Sequence, residues 1–164
     1  MRFVEYWNRK NMASYLSKAV VGNPIRVAIV EDEAETGQAV RGWFKGTANL
    51  LIVGEVRSNE ETLRYLEEVQ PDVVLMDVAA ASAAQVRQVA ALAGVIVLHT
   101  AGQEPGVLEA LRAGALGHLD RQNVRPSQAL AAIRAVSRGQ AVLSPSVAGR
   151  ILDQVLERRR RGET

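Results

Sequence analysis

The feature that most constrains this chain is a fivefold alternation. Five short apolar runs, IRVAIV (25–30), LLIVGEV (50–56), VVLM (73–76), VIVLHT (95–100) and ALGHL (115–119), are spaced along it. Runs of this kind, rich in β-branched residues, fit strands buried on both faces. Between and after them, apolar residues recur at helical spacing: Val40 and Phe44, Leu63 and Leu66, Val86 and Val89, Val107 and Leu111, Ile133 and Val136. Strand and helix in strict succession predict a parallel sheet with helices on both faces.

Right-handed crossovers leave few ways to wind such a chain. The α/β flavodoxin-like, doubly wound five-stranded sheet with strand order 2-1-3-4-5 is the most economical. In that order strands 1 and 3 are neighbours, so Asp32 and Asp77, 45 residues apart in sequence, meet at one sheet edge. Thr100 and Arg121, at the ends of strands 4 and 5, follow along it. The carboxyl edge of an open α/β sheet is where ligands and chemistry collect. In PDVVLMDV (71–78), Asp77 stands where the strand runs out. On that stretch alone it fits a turn or capping aspartate as well as a reactive carboxylate.

Gly22-Asn23-Pro24 stops any helix before the first strand and sets off residues 1–24 as an extension. Within it Phe3, Val4, Trp7, Tyr15, Leu16, Ala19 and Val20 recur roughly at helical spacing. A partner-binding helix, a packing helix and sequence upstream of a start at Met12 all fit that pattern. Residues 25–139 hold the five strand–helix units. Residues 140–164 form a linker helix opened by Ser144-Pro145, an N-cap followed by proline at the first helical position. Its last turn, Arg158 to Arg161, complements the negative end of the helix dipole. A solvated basic helix end is a better reading of these arginines than a nucleic-acid contact.

Composition removes several function classes. The 164 residues, 48% apolar, suffice for one globular domain with a small appendage. No apolar run approaches the ~20 residues needed to cross a bilayer. The first eighteen residues are too interrupted by charge and amide groups for a secretory signal. Without cysteine there is no disulfide, thiolate metal site or cysteine nucleophile. A cytoplasmic protein is expected. The net charge of +2, concentrated at the two ends, differs from that of a uniformly basic nucleic-acid binder.

Glu31, Asp32 and Asp77 at one edge would repel one another unless something positive sits among them. A hard divalent cation with oxygen ligands answers that need, and Mg²⁺ accepts one or two carboxylates plus waters. Such an ion would neutralise a phosphoryl group arriving on Asp77, with that carboxylate as nucleophile. Thr100 and Arg121 would hold the remaining phosphoryl oxygens. A nucleotide- or flavin-binding enzyme on the same fold is disfavoured, because Glu31, Asp32 and Glu33 stand where a glycine-rich phosphate loop would be.

The pieces IRVAIVEDE, PDVVLMDV, VIVLHTA, VLEALRAGALGHL and ALAAIRAVSRGQAVLSPSVAGRIL come in the order and at the intervals of a response-regulator receiver domain. Residues 25 to about 139 are most similar to the NarL/FixJ (LuxR-type) kind. The resemblance implies that Asp77 is the phospho-acceptor. It implies Glu31, Asp32, Asp77 and the backbone carbonyl of Ala79 as Mg²⁺ ligands, Thr100 as the hydroxyl that turns toward the phosphoryl group, and His118 in the slot of an aromatic switch residue. Three places depart from the pattern. Arg121 stands where the family has lysine, and a planar guanidinium is not a point-charge ammonium. His118 replaces the aromatic residue. AAASAAQ (79–85) replaces a loop with proline and glycine, and its alanines favour an early start to the third helix. His99, in an apolar strand, is expected to be a core-edge residue with a satisfied ring, and neither histidine has a partner at metal-ligand spacing.

The function implied is a two-component receiver, not an enzyme acting on a separate substrate. It would accept a phosphoryl group on Asp77 from a sensor histidine kinase and reshape the surface of strands 4 and 5 for a partner or for a second copy of the chain. A receiver-like module that signals by binding alone is the alternative. The family's helix-turn-helix output domain is not in these 164 residues, so the chain is expected to be a stand-alone receiver or a regulator cut at its linker.

Overall fold

The computed structural model describes residues 22–162, so the helical spacing noted in the first twenty-one residues lies outside the described residues. Five strands, β1 (Ile25–Glu31), β2 (Leu50–Arg57), β3 (Val73–Asp77), β4 (Gly94–His99) and β5 (Gly117–Asp120), run in chain order. They alternate with helices α1 (Ala34–Phe44), α2 (Thr62–Val69), α3 (Ala83–Ala90), α4 (Glu104–Arg112) and α5 (Pro126–Ser137), and α6 (Pro145–Arg160) follows. The strands form one sheet in the order β2-β1-β3-β4-β5, with every pairing parallel. This is the flavodoxin-like arrangement expected from the alternation, with the extra C-terminal helix.

Strand alternation divides the core in two. Ala28, Val30, Val74, Met76, Val95 and Val97 point to one side, where Leu66 of α2, Val86 and Val89 of α3, and Val107 and Ala110 of α4 cover them. Val27, Ile29, Val73, Leu75, Ile96 and Leu98 point to the other, under Val40 and Phe44 of α1 and Ala132, Ile133 and Val136 of α5. Successive side chains of a strand face opposite ways, so a strand covered on both sides must be apolar throughout. Each large side chain so buried stabilises the fold by about 1.5–3 kcal/mol relative to exposure.

Close packing dictates one glycine. A Cβ built on Gly94, at the start of β4, would lie 2.6 Å from a Val136 side-chain carbon and 3.1 Å from its backbone oxygen. Gly94 therefore lets α5 approach the sheet. Gly114, with φ of +118°, takes the left-handed turn after α4, as its position after Ala113 suggests.

Two differences from the sequence reading bear on the site. β4 ends at His99 and β5 runs Gly117–Asp120, so Thr100 lies just beyond its strand. The alanine-rich segment does not start α3 early: residues 78–80 form a turn and the helix begins at Ala83. Ser82 caps it, its hydroxyl accepting from Gln85 N while Gln85 Oε1 accepts from Ser82 N, both at 3.2 Å. This reciprocal cap outweighs the alanines' propensity.

Candidate functional site

β1 and β3 pair in parallel with Val30 opposite Met76, which places Glu31 and Asp77 at the same level of the carboxyl edge. Asp77, the last residue of β3, is 3% exposed. Its parity in the strand turns it to the α1–α5 side, with Val73 and Leu75. Its Oδ2 accepts from the Thr36 hydroxyl at 3.0 Å and lies 3.6 Å from the Arg121 guanidinium. Arg121 also donates to the Thr36 hydroxyl oxygen. Thr36, on the first turns of α1 and fully buried, thus has its proton on Asp77 and a lone pair on Arg121. Asp77 Oδ1 is held differently, accepting from the backbone N–H of Ala79 in the following turn at 3.2 Å. Among the described residues, the Arg121 Nε is a buried donor without a partner. A buried donor left unpaired costs free energy, which an acceptor arriving at the site would recover.

The other acidic residues of the edge divide sharply. Asp32 is exposed. Glu31 is 5% exposed, and its carboxyl accepts from the backbone N–H of Gly37 in α1. Burial pushes this carboxyl up to about 7, and the hydrogen bond it shares with Glu55 of β2 adds to the rise. The same hydrogen bond holds Glu55 below the ordinary carboxylate range, with Arg41 of α1 assisting through an ion pair. Glu31 is therefore the proton-bearing partner and Glu55 the acceptor. Gly37 makes room for them: a Cβ there would lie 2.1 Å from Glu55 Oε1 and 2.8 Å from Glu31 Oε1.

Thr100 is partly buried and tied to α4. Its N–H donates to Gln103 Oε1 at 2.8 Å, and its hydroxyl donates to the same oxygen at 3.3 Å. His118 turns to β4, its Nδ1 being 3.0 Å from Nε2 of His99, while its Nε2 accepts from Ser144 N at 3.0 Å. The expectation that His99 is a core-edge residue with a satisfied ring holds, at 8% exposure. The two histidines, neither of which has a partner at metal-ligand spacing in the sequence, meet each other across the sheet, because β4 and β5 pair with Val97 opposite His118.

The structure thus brings Asp77, Arg121 and Ala79 together and turns Thr100 toward Gln103 and Glu31 toward Gly37 and Glu55. Sequence reading missed Thr36, Glu55 and Gln103. A threonine among apolar helix positions was the available signal for Thr36. Glu55, the one acid within an otherwise apolar strand run, was the signal for the carboxyl pair. Among the described residues no group of three His, Asp or Glu side chains converges as a metal site would require. Asp32, Asp77 and the turn residue Ala79 lie at the carboxyl ends of β1 and β3, and oxygen donors so few would suit an ion that keeps several waters.

Residues 27–134 match the family model described as the response regulator receiver domain. The uncharacterized transcriptional regulatory protein YxjL of Bacillus subtilis is 27% identical over 136 residues, which is 79% of this chain and 62% of that protein. The transcriptional regulatory protein LiaR of the same organism is 27% identical over 137 residues, 80% of this chain and 64% of LiaR. The chain spans less than two thirds of the length of these relatives. Among solved structures, a LuxR-family two-component response regulator from Aurantimonas sp. SI85-9A1 superposes with a TM-score of 0.68 at 23% identity, covering 82% of this chain and 99% of that one. The isolated REC domain of RcsB from Salmonella enterica serovar Typhimurium gives 0.65 at 17% identity, covering 77% and 97%. Both likenesses are of fold. With the family model spanning most of the sheet and its helices, the chain belongs to the response regulator receiver domain family.

Proposed function

We propose that the chain accepts a phosphoryl group on Asp77 from the phosphohistidine of a sensor histidine kinase, in the cytoplasm, and passes the change to a surface formed by β4, β5 and α4. The observation that carries this is the unequal hold on the two Asp77 oxygens. Oδ2 is fixed by Thr36 and Arg121, whereas Oδ1 has one backbone N–H at 3.2 Å. Oδ1 is then the nucleophile. It forms the bond to phosphorus as the bond from phosphorus to the donor imidazole nitrogen breaks, and the imidazole leaves with that electron pair. Arg121, with a buried N–H still to satisfy, stabilises the charge on the transferring group.

Mg²⁺, when bound, neutralises phosphoryl charge. Asp32, Asp77 and the Ala79 carbonyl would hold it, joined by Glu31 only as an ionised carboxylate released from Glu55. Thr100, freed from Gln103, would serve a phosphoryl oxygen, and His118 sits where the change would reach β5. The kinase and a second copy of the chain are the proposed partners. Control of transcription, which the names of YxjL and LiaR state for those proteins, belongs to the same proposal.

Binding without phosphorylation is the second reading. It is favoured by Glu31, whose carboxyl is engaged by Gly37 and Glu55 rather than offered to the edge. Intact-mass measurement after incubation with Mg²⁺ and a small acyl phosphate separates the two, with Asp77→Asn as control.

A further inference from the structure

The contacts around His118 allow one arrangement of protons. A backbone N–H can only donate, so His118 Nε2, 3.0 Å from Ser144 N, is an unprotonated acceptor. A neutral ring then carries its proton on Nδ1, which faces His99 Nε2 at 3.0 Å. His99 must accept there, which leaves its own proton on Nδ1, directed at the Thr100 carbonyl 3.4 Å away. The result is a one-way chain from Ser144 N–H through two imidazoles to a backbone oxygen. The rings lie 5.2 Å apart at 39°.

No further proton fits. Placed on His118 Nε2, it opposes the Ser144 N–H. Placed on His99 Nε2, it opposes the proton on His118 Nδ1, and moving that proton to the other ring nitrogen again breaks the Ser144 bond. One added proton must therefore break either the imidazole pair or its link to Ser144.

Ser144 is the N-cap of α6, its hydroxyl accepting from Val147 N at 3.3 Å. Little else fastens that helix to the sheet. Val147 is its one buried residue, and Leu152, Val155 and Leu156 are exposed. Arg112 of α4 donates to Gln154, and the approach to the helix is tied to the residue preceding β5 by Val142 N, which donates to the Leu116 carbonyl at 2.8 Å. The His118 bond thus sits at the point where α6 joins the folded body.

We propose that His99 and His118 form a proton-operated latch on α6: neutral, the pair holds Ser144 and the start of the helix on β5, and a proton on His118 Nε2 releases them. The latch links the α4-facing side of β4 and β5 to the linker helix without involving Asp77. The charged groups around the pair are Glu104 of α4 and Asp120 of β5, both of which interact electrostatically with His99, and Arg150 of α6, which interacts with Glu104. Burial, followed by the neighbouring His99, holds the His118 ring below the usual imidazole range. Release is accordingly set below the ordinary imidazole midpoint of about 6.5.

The test is nitrogen-15 NMR of the histidine rings and backbone amides of the full chain, titrated from about pH 8 to about pH 5. At the upper end His118 is expected as the Nδ1–H tautomer with Nε2 accepting. On acidification the Ser144, Ser146 and Val147 amides should shift with the ring signals, and their hydrogen-exchange protection, corrected for intrinsic rates, should fall by about tenfold or more. His118→Phe should abolish that transition at Ser144. An Nε2–H tautomer in the wild-type chain overturns the proposal, as do α6 amides that ignore the ring titration, and both readouts hold even if the variant folds poorly.

Discussion

Arg121 and Asp77 meet across the carboxyl edge of the sheet, the guanidinium 3.6 Å from Oδ2, with the Thr36 hydroxyl bridging them from α1. β4 lies between β3 and β5, so the reach belongs to the long arginine side chain. The ion pair is buried on the Asp77 side and less so at Arg121. Its geometry depends on a hydroxyl that neither partner could replace by itself.

Thr36→Val keeps the shape of that residue and removes the bridge. Asp77 Oδ2 would lose a donor and an Arg121 N–H would lose its acceptor, both in a buried setting. The expected loss of stability is about 1–3 kcal/mol. Urea denaturation measures it, and Thr36→Ser should recover most of the loss.

Glu31→Gln tests the carboxyl pair. The Glu31 carboxyl is raised from the ordinary 4.5 to about 7, so between those values the folded state binds more protons than the unfolded state. Stability from this group is therefore full below the ordinary value and lost as pH rises through the folded one. Glu55, held low by Glu31 and Arg41, acts in the opposite sense and makes the net slope smaller. Glutamine supplies a permanent N–H to Glu55 with no proton to lose. The variant should gain on the order of 1 kcal/mol over the wild type above pH 7, and converge with it toward pH 4.5. Thermal unfolding across that range reads the difference, and parallel pH profiles for the two proteins would contradict it.

Gly94→Ala probes packing far from the site. The added Cβ meets Val136 at 2.6 Å on its side chain and 3.1 Å on its backbone oxygen, so α5 has to shift. Overpacking of this kind costs about 1–3 kcal/mol. Chemical denaturation should show that loss with the denaturant slope unchanged.

The sheet was legible in the sequence because a strand buried on both faces has to be apolar throughout, and VVLM and IRVAIV leave little choice. The edge residues Asp77 and Arg121 followed from strand order alone. The bridging role of Thr36 was not legible, since it depends on α1 bringing that hydroxyl to the end of β3, which helical spacing does not specify. Glu31 was expected to face the edge, but Gly37 and Glu55 draw its carboxyl to α1 and β2, a pairing visible only in three dimensions. The turn after Asp77 was misread because propensity favoured helix there, while one serine set the start of α3. His99 and His118 were judged separately because their pairing crosses two strands.

In the proposed reaction Asp77 is the phospho-acceptor and Oδ1 its attacking oxygen. The most direct measurement is the intact mass of the full chain after incubation with Mg²⁺ and a small acyl phosphate, alongside Asp77→Asn and a Mg²⁺-free control. One phosphoryl adduct is expected on the wild-type chain, labile to alkali as an acyl phosphate is, and none on the variant or without Mg²⁺. An unmodified wild-type mass, or an adduct that persists in Asp77→Asn, would contradict that role for Asp77.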